Sequence, residues 1–130
     1  MKFLLDTDTC IAVMRGREGA VTKLSSLPPD DCRVSTVTVF ELEVGVAKCR
    51  EPQKEAVKVA RFLASVHVLP LDTVSARRAG VLRAALEKKG HSIGPYDVLL
   101  AGQALAHGFK LISGNLAEFT RVEGLEVEGW

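Results

Sequence analysis

Residues 2–11 read KFLLDTDTCI, and the rest of the chain can be interpreted outward from them. A short apolar run ends abruptly in alternating carboxylates and hydroxyls, and a helical pattern follows. A run bounded in this way predicts a buried strand. In an open α/β sheet, ligands bind beyond the carboxyl ends of the strands, which places Asp6 at the mouth of the predicted site. An acid here can instead cap the following helix, a role that we expect mainly of Asp8.

Strands and helices alternate along the whole chain. Further apolar runs predict strands at residues 32–35, 66–71 and 110–113, and a short edge strand at 124–128. The segments between them predict helices at residues 9–14, 20–27, 37–48, 52–65, 76–89 and 95–107. This alternation is typical of an α/β fold with a mostly parallel sheet of four to five strands and helices on both faces. At 130 residues, we expect a single domain over 1–130.

The overall composition limits the possible functions. Net charge is +1, from 17 basic and 16 acidic residues, which argues against capture of nucleic acid by the whole surface but leaves room for a local basic patch. Cys10, Cys32 and Cys49 have no metal-ligand spacing and are interpreted as reduced thiols. The first apolar run is too short for a signal peptide, and no stretch approaches a membrane span. We therefore expect a cytoplasmic protein without a membrane partner.

A second acid, Glu41, lies in the helix predicted after the second strand. It shares a helical face with four apolar residues at spacings of three and four, namely Val37, Phe40, Val44 and Ala47. This face is expected to point inward. A buried acid needs a partner or a metal ion, so Glu41 becomes a candidate site residue.

Two further polar residues occupy comparable positions. Pro95 suits the first position of a helix, which puts Asp97 in the first turn, where the helix dipole alone would favour an acid. The helix continues as a nearly all-apolar stretch, so we expect it to be central, with its N-terminus directed into the same cleft. Asn115 follows a later strand as Asp6 follows the first.

These four residues, Asp6, Glu41, Asp97 and Asn115, form an oxygen-only ligand set without a convergent Cys or His. Such ligands suit Mg²⁺ or Mn²⁺ rather than zinc. A water on such an ion can attack a phosphodiester in line, and a second ion about 4 Å away would stabilise the leaving oxygen. The pattern therefore indicates metal-assisted hydrolysis of a phosphate ester.

Four short motifs, taken in order, carry a resemblance to a known family. They are LDTD at 5–8, ELEVG at 41–45, IGPYDVLLA at 93–101 and SGNLAEF at 113–119. Together they resemble the motifs of PIN-domain ribonucleases, and most closely those of VapC toxins from bacterial toxin–antitoxin pairs. The resemblance implies a PIN-like three-layer sandwich and a Mg²⁺- or Mn²⁺-dependent endoribonuclease. Structured RNA, including tRNA, is a frequent target in that family.

The resemblance also implies residue roles and partners. Asp6, Glu41 and Asp97 match the family's metal-binding acids, and Asn115 matches the fourth catalytic position, which is often Asp. It implies silencing by a VapB-type antitoxin, a homodimer and a toxin–antitoxin hetero-oligomer. The residues that would bind RNA are not indicated.

Four accessory candidates accompany these residues. Asp8 stands where the family most often has Asn, so it would either enlarge the metal site or cap the helix. Glu118, often Asp in the family, would compensate through water for the charge that Asn115 lacks, or cap the short helix after Asn115. Thr7 and Ser113 place hydroxyls behind the acids, although hydroxyls near strand ends usually bond local backbone.

Two other functions fit part of the sequence. FLLDTDT at 3–9 also matches the opening signature of haloacid-dehalogenase-like phosphatases, in which Asp6 would be the nucleophile and Asp8 the general acid. That interpretation explains neither Glu41 nor Asp97. The other alternative is a catalytically silent domain that binds RNA or protein. If RNA is bound, Tyr96 would either stack on a base or pack against the neighbouring helix.

Overall fold

The computed structural model describes residues 1–130, and a five-stranded sheet lies at its centre. The strands are β1 (Phe3–Leu5), β2 (Cys32–Ser35), β3 (His67–Leu69), β4 (Lys110–Ile112) and β5 (Val127–Glu128). The helices are α1 (Thr7–Met14), α2 (Glu18–Ser25), α3 (Thr36–Lys48), α4 (Pro52–Ala64), α5 (Thr73–Lys88), α6 (Pro95–His107) and α7 (Leu116–Phe119). Every pair of neighbouring strands is parallel, which confirms the predicted α/β class.

The predicted elements all form, and their ends differ for local reasons. Helix α1 begins earlier than expected because Asp6 is its N-cap, with Oδ1 accepting a hydrogen bond from the Thr9 N–H at 2.8 Å. The capping role that we expected mainly of Asp8 therefore belongs to Asp6, and Asp8 is exposed in the first turn. Strand β3 ends at Leu69, because the next residue, Pro70, has no N–H to pair.

The strand order creates a crevice beside β1. The order in the sheet is β3-β2-β1-β4-β5, so the chain builds outward from β1 to β3 and then returns to the other side of β1. Connections that leave neighbouring strands in opposite directions open a crevice at the carboxyl ends of those strands, where ligands of open α/β sheets bind. Leu5 pairs with Ile112 at this point. The residues that follow β1 and β4 therefore share the crevice.

Two hydrophobic cores lie on opposite faces of the sheet. Leu4 and Leu111 point to one face, where they pack with residues of α5 and α6 such as Leu100. Their strand neighbours point to the other face, where they pack with α1, α3 and α4; the main members of that core are Leu5, Ile112, Val34, Cys10, Leu42, Val46, Val59 and Phe62. The alternation of side chains along each strand thus produces the expected three layers.

Close packing against α5 fixes the position of α6. A Cβ atom at Gly102 would lie 2.5 Å from the Cβ of Ala79 and 2.6 Å from its Cα, so the two helices approach almost to backbone contact. Most of the middle of α6 is buried, including Leu100 and Ala101. The prediction of a central apolar helix is confirmed, and Asp97 stands at the start of this rigid element.

The face predicted to be buried on α3 was wrong. The buried residues are Val37, Thr38, Leu42 and Val46, whereas Phe40 is 51% exposed and Val44 is 37% exposed. Apolar residues lie on two sides of this helix, so the apolar periodicity was compatible with burial of either side. The side that packs against the core is the one that contains the polar residue Thr38. Glu41 consequently lies half-buried at the edge of the packed stripe.

The helices and the cysteines agree with what the composition predicted. None of the helices is long and apolar enough to cross a membrane. All three cysteines are free thiols, as expected, and Cys10 and Cys32 are buried. Burial, and then the nearby charge of Asp6, raises the pKa of the Cys10 thiol well above its usual range, which makes it a packing residue rather than a nucleophile.

Candidate active site

Asp6 is held at the crevice by the pairing of β1 with β4. Its own N–H donates to the carbonyl oxygen of Ile112 at 2.9 Å, and the hydroxyl of Thr9 donates to the same oxygen at 3.2 Å. The Thr9 N–H in turn binds Oδ1 of Asp6. The residue is only 5% exposed, so its backbone and one carboxylate oxygen are fixed while Oδ2 remains available to a ligand.

Glu41 is oriented by a pair of threonines. The Thr7 hydroxyl donates to Oε1 of Glu41 at 2.7 Å and lies 3.0 Å from the hydroxyl oxygen of Thr38. Since Thr7 has one hydroxyl proton and gives it to the carboxylate, Thr38 must be the donor to Thr7. Thr7 thus lies behind an acid, in the position expected of it. Sequence reasoning missed Thr38, although its spacing of three from Glu41 was a usable signal.

Asp97 shows that the acids share one electrostatic environment. Burial, then the negative charge of Glu118 and its hydrogen bond, and then the charges of Asp6 and Glu41 together raise the pKa of Asp97 from 3.8 to about 7. Asp6 and Glu41 therefore lie near enough to Asp97 to affect its charge, and Glu118 is a fourth carboxylate in the same region. A like-charge cluster of this kind is typical of functional sites.

Glu118 links α7 to the start of α6. Its Oε1 accepts a hydrogen bond from the Gly94 N–H at 2.6 Å, and its Oε2 accepts one from Nδ2 of Asn115 at 2.5 Å. The Gly94 bond is the main reason that the pKa of Glu118 is lowered. In the pair with Asp97, Glu118 keeps its charge and Asp97 holds the proton. Glu118 does not cap α7; instead it anchors the segment that carries Asp97.

A second contact reinforces this anchor. Nη1 of Arg121 donates to the carbonyl oxygen of Ser92 at 2.9 Å, so the α7 segment binds the loop before α6 at two points. At Gly94 a side chain would crowd the acids, because a Cβ atom would lie 3.2 Å from Oδ2 of Asp97 and 3.6 Å from Oε1 of Glu118. Sequence reasoning assigned no role to Arg121 or Gly94. The spacing of three between Glu118 and Arg121 was the available signal for the former.

The segment after β4 contributes the remaining candidates. The buried hydroxyl of Ser113 accepts a hydrogen bond from the Asn115 N–H at 2.9 Å, so it bonds local backbone, one of the two roles considered for it. Asn115 is exposed at the N-cap position of α7, and its side-chain amide points to Glu118 rather than to the helix backbone. Asp8 is exposed on α1 and is not among the charges that shift the pKa of Asp97.

The donor chemistry of the cluster fits a hard divalent cation. Burial and the charges of three neighbouring carboxylates raise the pKa of Asp97 to about 7, and a bound cation would offset both effects. As arranged, no three acidic, His or Cys side chains converge tightly enough to enclose an ion. Mg²⁺ does not require such a cage, since it keeps several waters and uses one or two carboxylates together with substrate phosphates. The site is an open acidic crevice.

A comparison with protein families shows the family to which this chain belongs. The family model described as PIN domain matches residues 3–125. The chain therefore belongs to the PIN domain family. Its relatives within that family are VapC ribonucleases. The tRNA(fMet)-specific endonuclease VapC of Salmonella typhimurium is 35% identical over 130 residues, which cover all of this chain and 98% of that protein.

Solved structures of VapBC complexes are also similar to this chain. A DNA-bound VapBC from Salmonella typhimurium matches with a TM-score of 0.94 and 35% identity, covering 100% of this chain and 98% of the other. VapBC2 from Rickettsia felis, bound to a DNA fragment from its promoter, matches with a TM-score of 0.94 and 28% identity, covering 100% and 99%. The resemblance to VapC-type PIN domains is confirmed, and none of these matches supports the phosphatase alternative.

Proposed function

We propose that this chain is a metal-dependent endoribonuclease, the toxin of a toxin–antitoxin pair, which hydrolyses RNA phosphodiester bonds at the acidic crevice. The observation that carries the proposal is the carboxylate cluster at the switch point of the sheet, where neighbouring charges and burial raise the pKa of Asp97 to about 7. The names of the relatives, which are ribonucleases and endonucleases, support the nuclease class. We also propose that residues 1–130 act as one PIN domain.

The acids have distinct tasks in this proposal. Asp6, Glu41 and Asp97 hold Mg²⁺ or Mn²⁺, which when bound would lower the pKa of a coordinated water and neutralise charge on the phosphate. Thr7 keeps one oxygen of Glu41 occupied and so aims the other. Asp97 would act in its ionised form in such a site. Glu118, with both oxygens already engaged, positions Asp97 rather than holding the ion.

Structured RNA is the proposed substrate class, and tRNA is its first candidate. The Salmonella typhimurium relative, which this chain matches along its full length, is named a tRNA(fMet)-specific endonuclease. Initiator tRNA is therefore the first substrate to test. Asn115, at the fourth catalytic position, contributes an amide in place of a carboxylate, and so favours a site with one strongly held cation.

An antitoxin of the VapB type is the proposed partner, because the matching solved structures are complexes of VapC with VapB. A groove of about 320 Å³ between α1, α3 and α4 reaches Glu41. Its floor is apolar, with Ile11 and Met14, and Arg15 and Lys58 also line it. We propose that an antitoxin segment lies in this groove beside the acids, within a hetero-oligomer built on a homodimer of this chain.

The test is cleavage of total cellular RNA by antitoxin-free protein, mapped by end sequencing in Mg²⁺, in Mn²⁺ and in chelator. We expect metal-dependent cuts at one or a few positions, which decrease on the order of 100-fold in Asp97→Asn because about 3 kcal/mol of transition-state stabilisation is lost. Glu43→Gln is the matched control, since Glu43 is an exposed acid two residues from Glu41. Folded wild-type protein that makes no cuts in either metal would contradict the proposal.

A further inference from the structure

Three exposed apolar side chains, here called the rim, belong to residues that directly precede or follow site residues in the chain. Phe40 is 51% exposed and precedes Glu41, and Tyr96 is 42% exposed and precedes Asp97. Leu116, which is 43% exposed, follows Asn115 in the same way. Consecutive Cα atoms are about 3.8 Å apart, so each of these side chains begins beside a site residue. Apolar surface next to charged residues is complementary to a ligand in which a charged group lies beside flat apolar rings.

The two aromatic rings of this rim contact each other. The ring centroids of Phe40 and Tyr96 are 5.5 Å apart, and the ring planes are inclined by 60°. This tilted contact joins α3 to α6, the two helices that carry Glu41 and Asp97. Packing of Tyr96 against the neighbouring helix, one of the roles considered for it, is therefore real. The contact uses only part of each ring, and the exposed fractions show that the remainder faces solvent.

An RNA ligand requires binding energy from a source other than charge. The net charge of the chain is +1, so apart from the proposed cation the protein as a whole attracts backbone phosphates only weakly. Stacking of a base on an aromatic side chain strengthens binding by roughly five- to 150-fold per base and is tolerant of sequence. A nucleotide whose phosphate lay at the acids would bring its base towards Phe40 and Tyr96, which adjoin Glu41 and Asp97 in the chain.

We infer that Phe40 and Tyr96 form the stacking site for a base next to the scissile phosphate. The inference rests on the proposed ribonuclease function and adds the substrate class to it. Bases inside an RNA duplex are already stacked on one another, so the ligand is an unpaired nucleotide in a loop or a single-stranded segment. Phe40 and Tyr96 select a base that can leave its stack with the neighbouring bases. This selection determines where along an RNA the cut falls.

Leucine substitutions separate stacking from simple apolar contact. Phe40→Leu and Tyr96→Leu keep apolar surface but remove the aromatic face, whereas Tyr96→Phe keeps the ring and loses only the hydroxyl. With an RNA that contains the mapped cut site, we expect each leucine variant to raise KM about tenfold and to leave kcat within about twofold. Tyr96→Phe should retain the wild-type KM. Val81→Ala, at a valine that is 70% exposed on α5, is the control for exposed apolar surface away from the crevice.

A double-mutant cycle that combines protein variants with altered RNA substrates makes the test specific. Wild type and the Phe40→Leu, Tyr96→Leu double variant are each assayed on the normal RNA and on RNAs that lack the base on one or the other side of the cut. If a base stacks on the pair, removing the base and removing the rings cost the same interaction, so the two effects do not add. The mass of each variant in solution, measured by light scattering, is compared with that of wild type.

The outcomes are distinguishable. Non-additive losses confined to KM, with unchanged mass, support the stacking site. Additive effects, an unchanged KM, or a loss in kcat alone would overturn it while leaving the ribonuclease function intact. A changed mass with an unchanged KM would assign the pair to an interface between copies of this chain and likewise overturn the inference. Wild-type protein that cuts no RNA would contradict the proposed function itself.

Discussion

Asp97 has a raised pKa in the folded chain, and this couples the charge state of one residue to folding. The residue is about half-buried and faces Glu118, Asp6 and Glu41, which together with burial raise its pKa to about 7. The unfolded chain loses this proton near the ordinary value of 3.8. Between these two values the folded chain binds more protons than the unfolded chain, so stability decreases as the pH rises through this range.

Asp97→Asn should therefore stabilise the metal-free protein at high pH. The amide can take the place of the protonated acid beside Glu118 and carries no charge to be buried at pH 8. After allowance for solvent screening, we expect a gain of about 1 kcal/mol at pH 8, or ~4 °C in Tm, and almost none at pH 4. Thermal unfolding in chelator at both pH values measures this difference. An equal difference at pH 4 and pH 8 would contradict the assignment of the proton to Asp97.

Gly94→Ala tests the close contact between the loop and Asp97. The new methyl group would lie 3.2 Å from Oδ2 of Asp97, so the carboxylate must move by a few tenths of an ångström. We expect about a tenfold loss in kcat, because small displacements of reacting groups are costly. The stability of the fold should hardly change. The control is Gly45→Ala, at a glycine whose added Cβ would meet nothing within 4 Å; equal activities of the two variants would count against this geometry.

Among the helices, α6 determines the position of Asp97 through its packing against its neighbours. Its middle packs almost backbone to backbone on α5 at Gly102, and its N-terminus is held by Glu118 and Arg121 from the α7 segment. One contact fixes the distance of α6 from its neighbour, and the others fix the loop that leads into it. Asp97 is placed by both.

Gly102→Ala should consequently destabilise the fold. The added methyl group would lie 2.5 Å from the Cβ of Ala79, and the neighbouring backbone leaves no flexible side chain to yield. Overpacking of this kind costs about 1–3 kcal/mol. Gly80→Ala on α5 is the matched control; its Cβ meets nothing within 4 Å, and alanine should stabilise that helix by ~0.5–1 kcal/mol. Chemical denaturation measures both, and equal stabilities would show that α5 and α6 can separate freely.

For the whole molecule, the sheet was predictable because apolar runs identify strands and their alternation with helices requires parallel pairing. The position of Asp6 was predictable because residues that follow neighbouring parallel strands meet at one edge of the sheet, and the order β3-β2-β1-β4-β5 puts β1 beside β4. The face of α3 was not predictable, since apolar residues lie on two of its sides. The link from Glu118 to Gly94 was not predictable either, because it joins positions 24 residues apart whose contact depends on the finished fold.

The most direct test of the central claim is the rate of RNA cleavage as a function of Mn²⁺ concentration, for wild type, Asp6→Asn and Asp8→Asn. The proposed mechanism needs Asp6 at the cation, whereas Asp8 lies on the exposed side of α1. It predicts that Asp6→Asn loses roughly 100-fold in rate at every concentration, about 3 kcal/mol, while Asp8→Asn stays within about threefold of wild type. Cleavage that persists in chelator, or an equal loss in both variants, would contradict it.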